Sequence, residues 1–440
     1  MPDQKIYARI DYEDKYVQPL LLEALEARLP PEILVLINDT SVLPSPKSNL
    51  LQWRQYESID LDFLSTHAET SLANSFIIRK ALIRKHYLSA TVSHWLTKNP
   101  DSVLNSHVKP SVEFEVDFAE FLDDALIEAY ELKESWARNE GKQPPERQWW
   151  ILKPGMSDRG QGIRLFSLEE ELTEIFTEWD PPSDDEDDDD AAEHSGDEAV
   201  AKAERDEEDD SGNGVITSQL RHFVAQPYID PPLLMPPSHP SADRKFHIRT
   251  YVLAVGALKV YVYKPMLALF AGQPYQAPGT SSTDANENLS AHLTNTCLQT
   301  GEREGSVHAF WSLPSTLPSL TSVSSGDDWR ESAFKQICTT TGQIFEAAAR
   351  SMSIHFQPLP NAFEIYGLDF MVDASGTVWL LEVNAFPDFA QTGDELQGLV
   401  KGLFESVVDV GIKPFFGLGE ARNAGAEDMV EVLDIDLGRR

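Results

Sequence analysis

Apolar and polar residues alternate over residues 6–10, then Leu20, Leu21, Leu22, Leu25 and Leu29 recur at helical spacing ahead of the apolar run 33–37. A period of two, then of 3.6, then a continuous apolar stretch predicts strand, helix and a buried parallel strand. Pro44 and Pro46 mark a loop. Residues 71–96 read as a helical stretch with a Lys- and Arg-rich middle, 100–110 as a connection, and 119–134 as a further helix. Beyond Pro144 and Pro145 the pattern turns to strands at 149–154, 223–228, 248–255 and 258–263, closing with a hairpin over 363–383. No unit repeats. The pattern predicts an α+β chain with a strand-rich C-terminal half.

Length and charge sharpen this picture. At about 150 residues per domain, a chain of this size predicts two or three domains, and 41% hydrophobic residues suffice for a sizeable core. Against 36 basic residues stand 72 acidic ones, a net charge of -36. That excludes wrapping of nucleic acid or of an anionic membrane by the chain as a whole. Residues 180–210 hold 17 acidic residues against Lys202 and Arg205. A block of like charge with little to bury predicts a disordered insert over 180–214. The expected layout is a small α/β domain over 1–70, a central domain over 71–220, a C-terminal domain over 221–412 and a tail over 413–440. Two cysteines, Cys297 and Cys338, cannot build a disulfide framework. The N-terminus has no apolar signal core, and the apolar stretch 251–270 is interrupted by Lys259 and Lys264. A soluble cytoplasmic protein is expected, without a membrane or direct nucleic-acid partner.

Candidate chemistry starts at the final hairpin. With Ser375-Gly376 as a two-residue loop, Asp369 falls opposite Glu382, and Asn384 shares the face of Glu382. Two carboxylates facing each other among Tyr366, Leu368, Phe370, Trp379, Leu381 and Val383 repel unless a cation lies between them. Oxygen donors of this kind suit Mg²⁺, which completes its shell with phosphate and water. Upstream, Lys153 ends an apolar strand and is followed by Gly155, Gly160 and Gly162. Such a loop lets backbone N–H groups approach phosphate, yet it is neither a Walker loop nor a dinucleotide fingerprint, and alone it reads equally as an ordinary hairpin loop. Lys245, His247 and Arg249 share one face of a strand, and Gln226-Pro227-Tyr228-Ile229 makes a polar bend able to face an adenine edge. In an acidic chain, clustered cations beside carboxylates point to phosphate.

ILKPGMSDRGQGI, RKFHIRTYVL, HLTNTCLQ and YGLDFMVD…WLLEVNAFPDF, in this order over residues 149–389, resemble the motifs of the tubulin–tyrosine ligase-like family, a branch of the ATP-grasp fold. A weaker resemblance reaches upstream over 71–88, where Arg79-Lys80-Ala81 is similar to the family's lysine-bearing helix. The resemblance implies an ATP-grasp architecture using ATP and Mg²⁺. It implies that Lys80, Lys153 and Lys245 contact the nucleotide, and that Gln226, Pro227, Tyr228 and Ile229 form the adenine hinge. It gives Thr294 and Asn295 nucleotide contacts, makes Asp369, Glu382 and Asn384 the Mg²⁺ ligands, and assigns the transferring phosphoryl group to Arg249 with Lys153.

Three departures separate this chain from the family pattern. His247 replaces a carboxylate, near enough to the nucleotide to act as a protonated contact or as a structural polar group. Pro227 replaces a hinge lysine. Leu269 stands where an arginine is expected near the acyl-phosphate. Two functions follow. One is an ATP-dependent carboxylate–amine ligase modifying a protein acceptor, for which acidic tubulin tails are disfavoured by charge. The other, which resembles a fungal branch, is a catalytically weak or inactive ATP-binding scaffold in cytoplasmic RNA-processing bodies, engaged in mRNA decay.

Overall fold

A computed structural model describes residues 5–155, 160–179, 221–280, 289–294, 306–320, 328–392, 396–419 and 427–438. The insert expected at 180–214 and Asn295 lie outside these residues, as does Cys297.

Three sheets organise the described residues. The first is parallel, with β1 (Ile6–Asp11), β2 (Leu34–Leu36), β3 (Asn49–Arg54) and β4 (Ser71–Ala73) in the order β2-β1-β3-β4. The helix Val17–Arg28 buries Leu20, Leu21 and Leu25, which fixes it to this sheet and to the helix Gln397–Val407. The second sheet is antiparallel: β5 (Val112–Glu115), β6 (Trp150–Pro154), β7 (Arg164–Phe166) and β8 (His222–Pro227) in the order β5-β8-β6-β7. The third is the largest. β9 (Phe246–Val255) pairs with β10 (Lys259–Tyr263), β11 (Leu267–Phe270) and β13 (Phe363–Val372). β12 (Val307–Ala309), β14 (Val378–Ala385) and β15 (Met429–Asp434) extend it through β11, β13 and β10 respectively.

β9 and β13 are buried along almost their whole length because both faces are covered. The helices Trp329–Ser351 and Lys85–Lys98 pack one face, and Val17–Arg28 with Gln397–Val407 the other. Continuous apolar runs are what such central strands require.

Several elements differ from expectation. Residues 71–96 do not begin as a helix: Ser71-Leu72-Ala73 extends beside β3, whose Leu50, Leu51 and Trp53 carry the buried positions. The run 33–37 is half-buried, because β2 is an edge strand and Leu36 faces outward. The helix expected at 119–134 divides into turns at Ala119–Phe121 and Leu122–Ala125 and a helix at Tyr130–Asn139. The expected tail contains β15, whose Val430 and Val432 pack against the core behind β10. β8 belongs to the central sheet, so the chain crosses into the large sheet after residue 227. Phe76, Leu82, Leu88 and Val92 join the large-sheet core, leaving the central unit to begin near β5.

Candidate functional site

One cleft between the central and large sheets gathers most of the residues singled out in the sequence: Lys153, Gln226, Pro227, Tyr228 and Ile229 from one side, and Lys245, His247, Arg249, Thr294, Asp369, Glu382 and Asn384 from the other. Its carboxylate end is set by strand register. Arg249 on β9 lies directly opposite Asp369 on β13, which lies opposite Glu382 on β14. The three side chains form a row across three strands. The turn that closes the hairpin is a three-residue loop, Ala374-Ser375-Gly376, with Gly376 at φ +86°. A bulge after Asp369 then compensates for the one-residue difference and restores the Asp369–Glu382 pairing.

The expected repulsion between these carboxylates is met by cations of the chain itself. Arg249 donates from Nε to Asp369 Oδ1 at 2.5 Å and from Nη2 to Oδ2 at 3.1 Å. Lys85 Nζ lies 3.6 Å from Glu382. Asn384 Nδ2 donates to Glu382 Oε1 at 3.1 Å and reaches Asp369 Oδ2 at 3.5 Å. Burial opposes ionisation of Glu382, but Lys85, the Asn384 amide and Lys153 outweigh it and hold the carboxyl well below the usual range. Two carboxylates and a reorientable amide, all oxygen-bearing and converging on one cleft, fit a hard divalent cation. Gly367 gives the row its room. A Cβ there would lie 2.8 Å from Pro387 and 3.3 Å from Arg249 Cδ.

The lysine side of the cleft is built from buried cations with neutral neighbours. Lys153 donates to Gln226 Oε1 at 3.0 Å, and Lys245 donates to Tyr228 Oη at 2.8 Å while lying over its ring. Burial lowers Lys153 to about 8 and Lys245 to about 7; nearby carboxylates offset this only in part. Groups desolvated in this way gain most from an anion brought to them. Gly160 and Gly162, both at positive φ, carry the loop that returns from Lys153 to β7.

Ile151, Ile163, Leu293, Met371 and Leu381 supply apolar walls suited to a flat base. At the bend, the Tyr228 N–H is bonded to Trp149 O at 2.9 Å, so Tyr228 contributes its ring and hydroxyl rather than its amide. Gln226 is likewise engaged, donating from Nε2 to Ser111 Oγ at 3.0 Å. His247 hydrogen-bonds through Nδ1 to Thr294 Oγ1 at 2.6 Å, while its buried Nε2 has no hydrogen-bond partner among the described residues and lies 3.5 Å from Asp369. Burial lowers His247, with Asp369 acting against it.

Lys80 is placed elsewhere. The short turn Lys80–Ile83 buries Ala81 and Leu82, which directs Lys80 to solvent. Arg84 then takes an extended conformation and a new helix starts at Lys85, whose side chain reaches the cleft instead. Lys85 and His292, whose Nδ1 meets Tyr228 Oη at 2.9 Å, are cleft residues that the motifs alone did not isolate. His292 opens the motif HLTNTCLQ without having been given a role, and Lys85 follows closely on Arg79-Lys80-Ala81. Leu269 is fully buried and packs with Leu267, Tyr251 and Leu253. It lies opposite His247 in register, so an apolar side chain packed into this cluster stands where the family pattern has a cation.

The tubulin–tyrosine ligase family model matches residues 67–417. A Schizosaccharomyces pombe protein named "Probable tubulin--tyrosine ligase" is 43% identical over 97% of this chain and 95% of its own length. A Saccharomyces cerevisiae protein named "Probable tubulin--tyrosine ligase PBY1" is 39% identical over 96% of this chain, which spans 54% of that protein. Among solved structures, the C-terminal domain from K. lactis Pby1, described as an ATP-grasp enzyme interacting with the mRNA decapping enzyme Dcp2, aligns with a TM-score of 0.68 and 35% identity. That alignment covers 98% of this chain and 99% of the other. The fold is therefore an ATP-grasp fold, a class that uses ATP with a divalent metal.

Proposed function

The chain belongs to the tubulin–tyrosine ligase family, and from that premise we propose that it binds MgATP in this cleft and joins a carboxylate to an amine on a protein acceptor. The observation that carries the reading is the convergence of Lys153, Lys245, Asp369, Glu382 and Asn384 on a single cleft. Asp369, Glu382 and Asn384 would hold the Mg²⁺, and when bound the ion neutralises phosphate charge as a Lewis acid. Lys153 and Lys245 supply charge to the phosphates, and the apolar walls keep water from the base. Arg249 is fixed by Asp369 and faces the same row, where it can stabilise a phosphoryl group.

In this chemistry the γ-phosphoryl passes from ATP to a carboxylate oxygen, and ADP leaves. The acyl-phosphate carbon is then attacked by the amine; the C–N bond forms, phosphate leaves and the amine gives up a proton. The side chains position and neutralise, and none needs to act as a nucleophile. The acceptor is proposed to be a cytoplasmic protein other than tubulin, because an acidic body slows encounter with acidic tails.

Leu269 favours a second reading: an ATP-binding scaffold with little or no ligase activity, working with mRNA-decay proteins of RNA-processing bodies. The K. lactis relative's description as a Dcp2-interacting enzyme supports it. Incorporation of labelled tyrosine and glutamate into tubulin and into a panel of other proteins, followed with ADP release, tests both. Turnover that depends on a non-tubulin acceptor supports the ligase. MgATP binding without turnover supports the scaffold, and robust tubulin labelling would restore tubulin as the acceptor.

A further inference from the structure

On the outside of the central sheet, residues 117–131 break the rule that a chain hides its large apolar side chains. Leu122, Leu126, Ala129, Leu132 and Trp136 are buried and fasten this segment to the sheet. Its outward side should then be polar. Instead Phe118, Phe121, Ile127 and Tyr130 are 45, 48, 59 and 66% exposed. They account for four of the eight large apolar residues found exposed among the described residues, and they fall within thirteen positions. The Phe118 and Phe121 rings touch edge to face at 6.3 Å. Singly exposed apolar residues are ordinary, but a contiguous group rimmed by polar residues marks a contact surface.

The rim is predominantly acidic, with the Lys133 ammonium at its edge on the Ile127 carbonyl at 3.2 Å. Between residues 112 and 131 there are eight acidic residues and no Lys or Arg. Of these, Asp117 is paired with Arg221 at 2.8 Å, while Glu120, Asp123, Asp124, Glu128 and Glu131 are exposed. The charge selects among possible occupants. A second copy of this chain would set carboxylates against carboxylates, anionic lipid and nucleic acid would be repelled, and the acidic stretch 180–210 carries the same sign. That stretch leaves the described chain after Trp179, on a helix packed against the turn 119–121, and rejoins it at Arg221.

We propose that residues 117–131 form a docking surface for a basic protein segment carrying aromatic or aliphatic anchors. The apolar residues Phe118, Phe121, Ile127 and Tyr130 take the anchors, and the carboxylate rim takes the Lys or Arg residues between them. None of its four apolar residues lines the nucleotide cleft, so docking requires neither ATP nor turnover.

The test uses the full chain and two labelled ten-residue peptides of equal positive charge. In one, lysines alternate with leucine and tryptophan; in the other, serine replaces every apolar residue. Fluorescence anisotropy is expected to show the apolar-basic peptide binding at least ~10-fold more tightly than its serine counterpart. The triple variant Phe118→Ser, Phe121→Ser, Tyr130→Ser should abolish that preference, and Asp123→Lys with Asp124→Lys should weaken both peptides. All five positions are exposed, and an unchanged melting temperature checks that each variant is folded. Deleting 180–214 should leave the preference for the apolar-basic peptide in place. Equal binding of the two peptides to the unmodified chain, or undiminished preference in the triple variant, would overturn the proposal. So would loss of the preference on deleting 180–214, which would locate binding in the acidic stretch.

Discussion

Two neighbouring parts of one sheet face carry opposite chemistry. Across β9, β13 and β14 stand Arg249, Asp369 and Glu382, each held by a partner of opposite charge or by the Asn384 amide. One strand further, on β11, Leu267 and Leu269 occupy the equivalent positions beside Arg249 and His247 and are sealed in an apolar cluster. The backbone register is continuous, so geometry would have allowed a cation on β11 as easily as on β9. One part of this sheet face is thus charged and lines the cleft, and the adjoining part is hydrocarbon. In a family whose pattern has an arginine there, this contrast separates MgATP binding from amino-acid transfer. It predicts that the first survives where the second is weak.

The largest effect is expected from Glu382→Gln. Losing one of two carboxylates should reduce Mg²⁺-dependent ATP affinity by ~100-fold, about 3 kcal/mol, measured by calorimetry. The same variant also reports on the row without nucleotide. Glu382 is held ionised by Lys85 and Lys153, so its folded value lies below its unfolded one. Its contribution to stability is then present above the ordinary carboxylate range and is lost only as pH falls through the depressed folded value. The variant should therefore lose ~1 kcal/mol of stability at neutral pH, whereas relief of bare carboxylate repulsion would raise it.

Leu269→Arg addresses the apolar half. Placing an unpaired guanidinium in this cluster should cost ~3 kcal/mol or more, seen as a marked fall in melting temperature. A stable variant that gained ligase activity would show that β11 opens into the cleft, and the contrast would collapse.

A smaller effect concerns pH. Lys245 at about 7 and Lys153 at about 8 are partly neutral in the free protein near neutrality. Bound phosphate favours their charged forms and raises both values, so binding takes up protons and ATP affinity should fall by ~10-fold from pH 7 to pH 9. Calorimetry in two buffers of different ionisation enthalpy measures the uptake, and Lys153→Met should remove its higher-pH part. Smallest of all, deleting 180–214 should leave ATP affinity and melting temperature within about 0.5 kcal/mol of the full chain, because its composition leaves it little apolar surface to bury.

The sequence made the cleft legible for a physical reason. Asp369, Glu382 and Asn384 lie on strands, where a period of two converts spacing directly into facing. Even so, the correct pairing came through an incorrect turn: a three-residue loop and a bulge differ from a two-residue loop by offsets that cancel at Asp369. Lys80 shows where spacing fails. Whether it or Lys85 enters the cleft depends on an extended residue, Arg84, between two short helical pieces, and no periodicity encodes that break. β3 was hidden behind a proline loop, and β15 in what read as a tail, because short strands acquire their meaning only from the strands they join. The reach of Arg249 to Asp369 was likewise invisible, since it links positions 120 residues apart in the chain.

The central claim is that the charged row and the buried lysines form a working MgATP site. Titration of ATP into the full chain, with Mg²⁺ and again with a chelator, tests it most directly when repeated on Glu382→Gln and Lys153→Met. The account predicts one-to-one binding that requires Mg²⁺ and is weakened in both folded variants. Binding of equal strength with the chelator, or unchanged in the two variants, would contradict it.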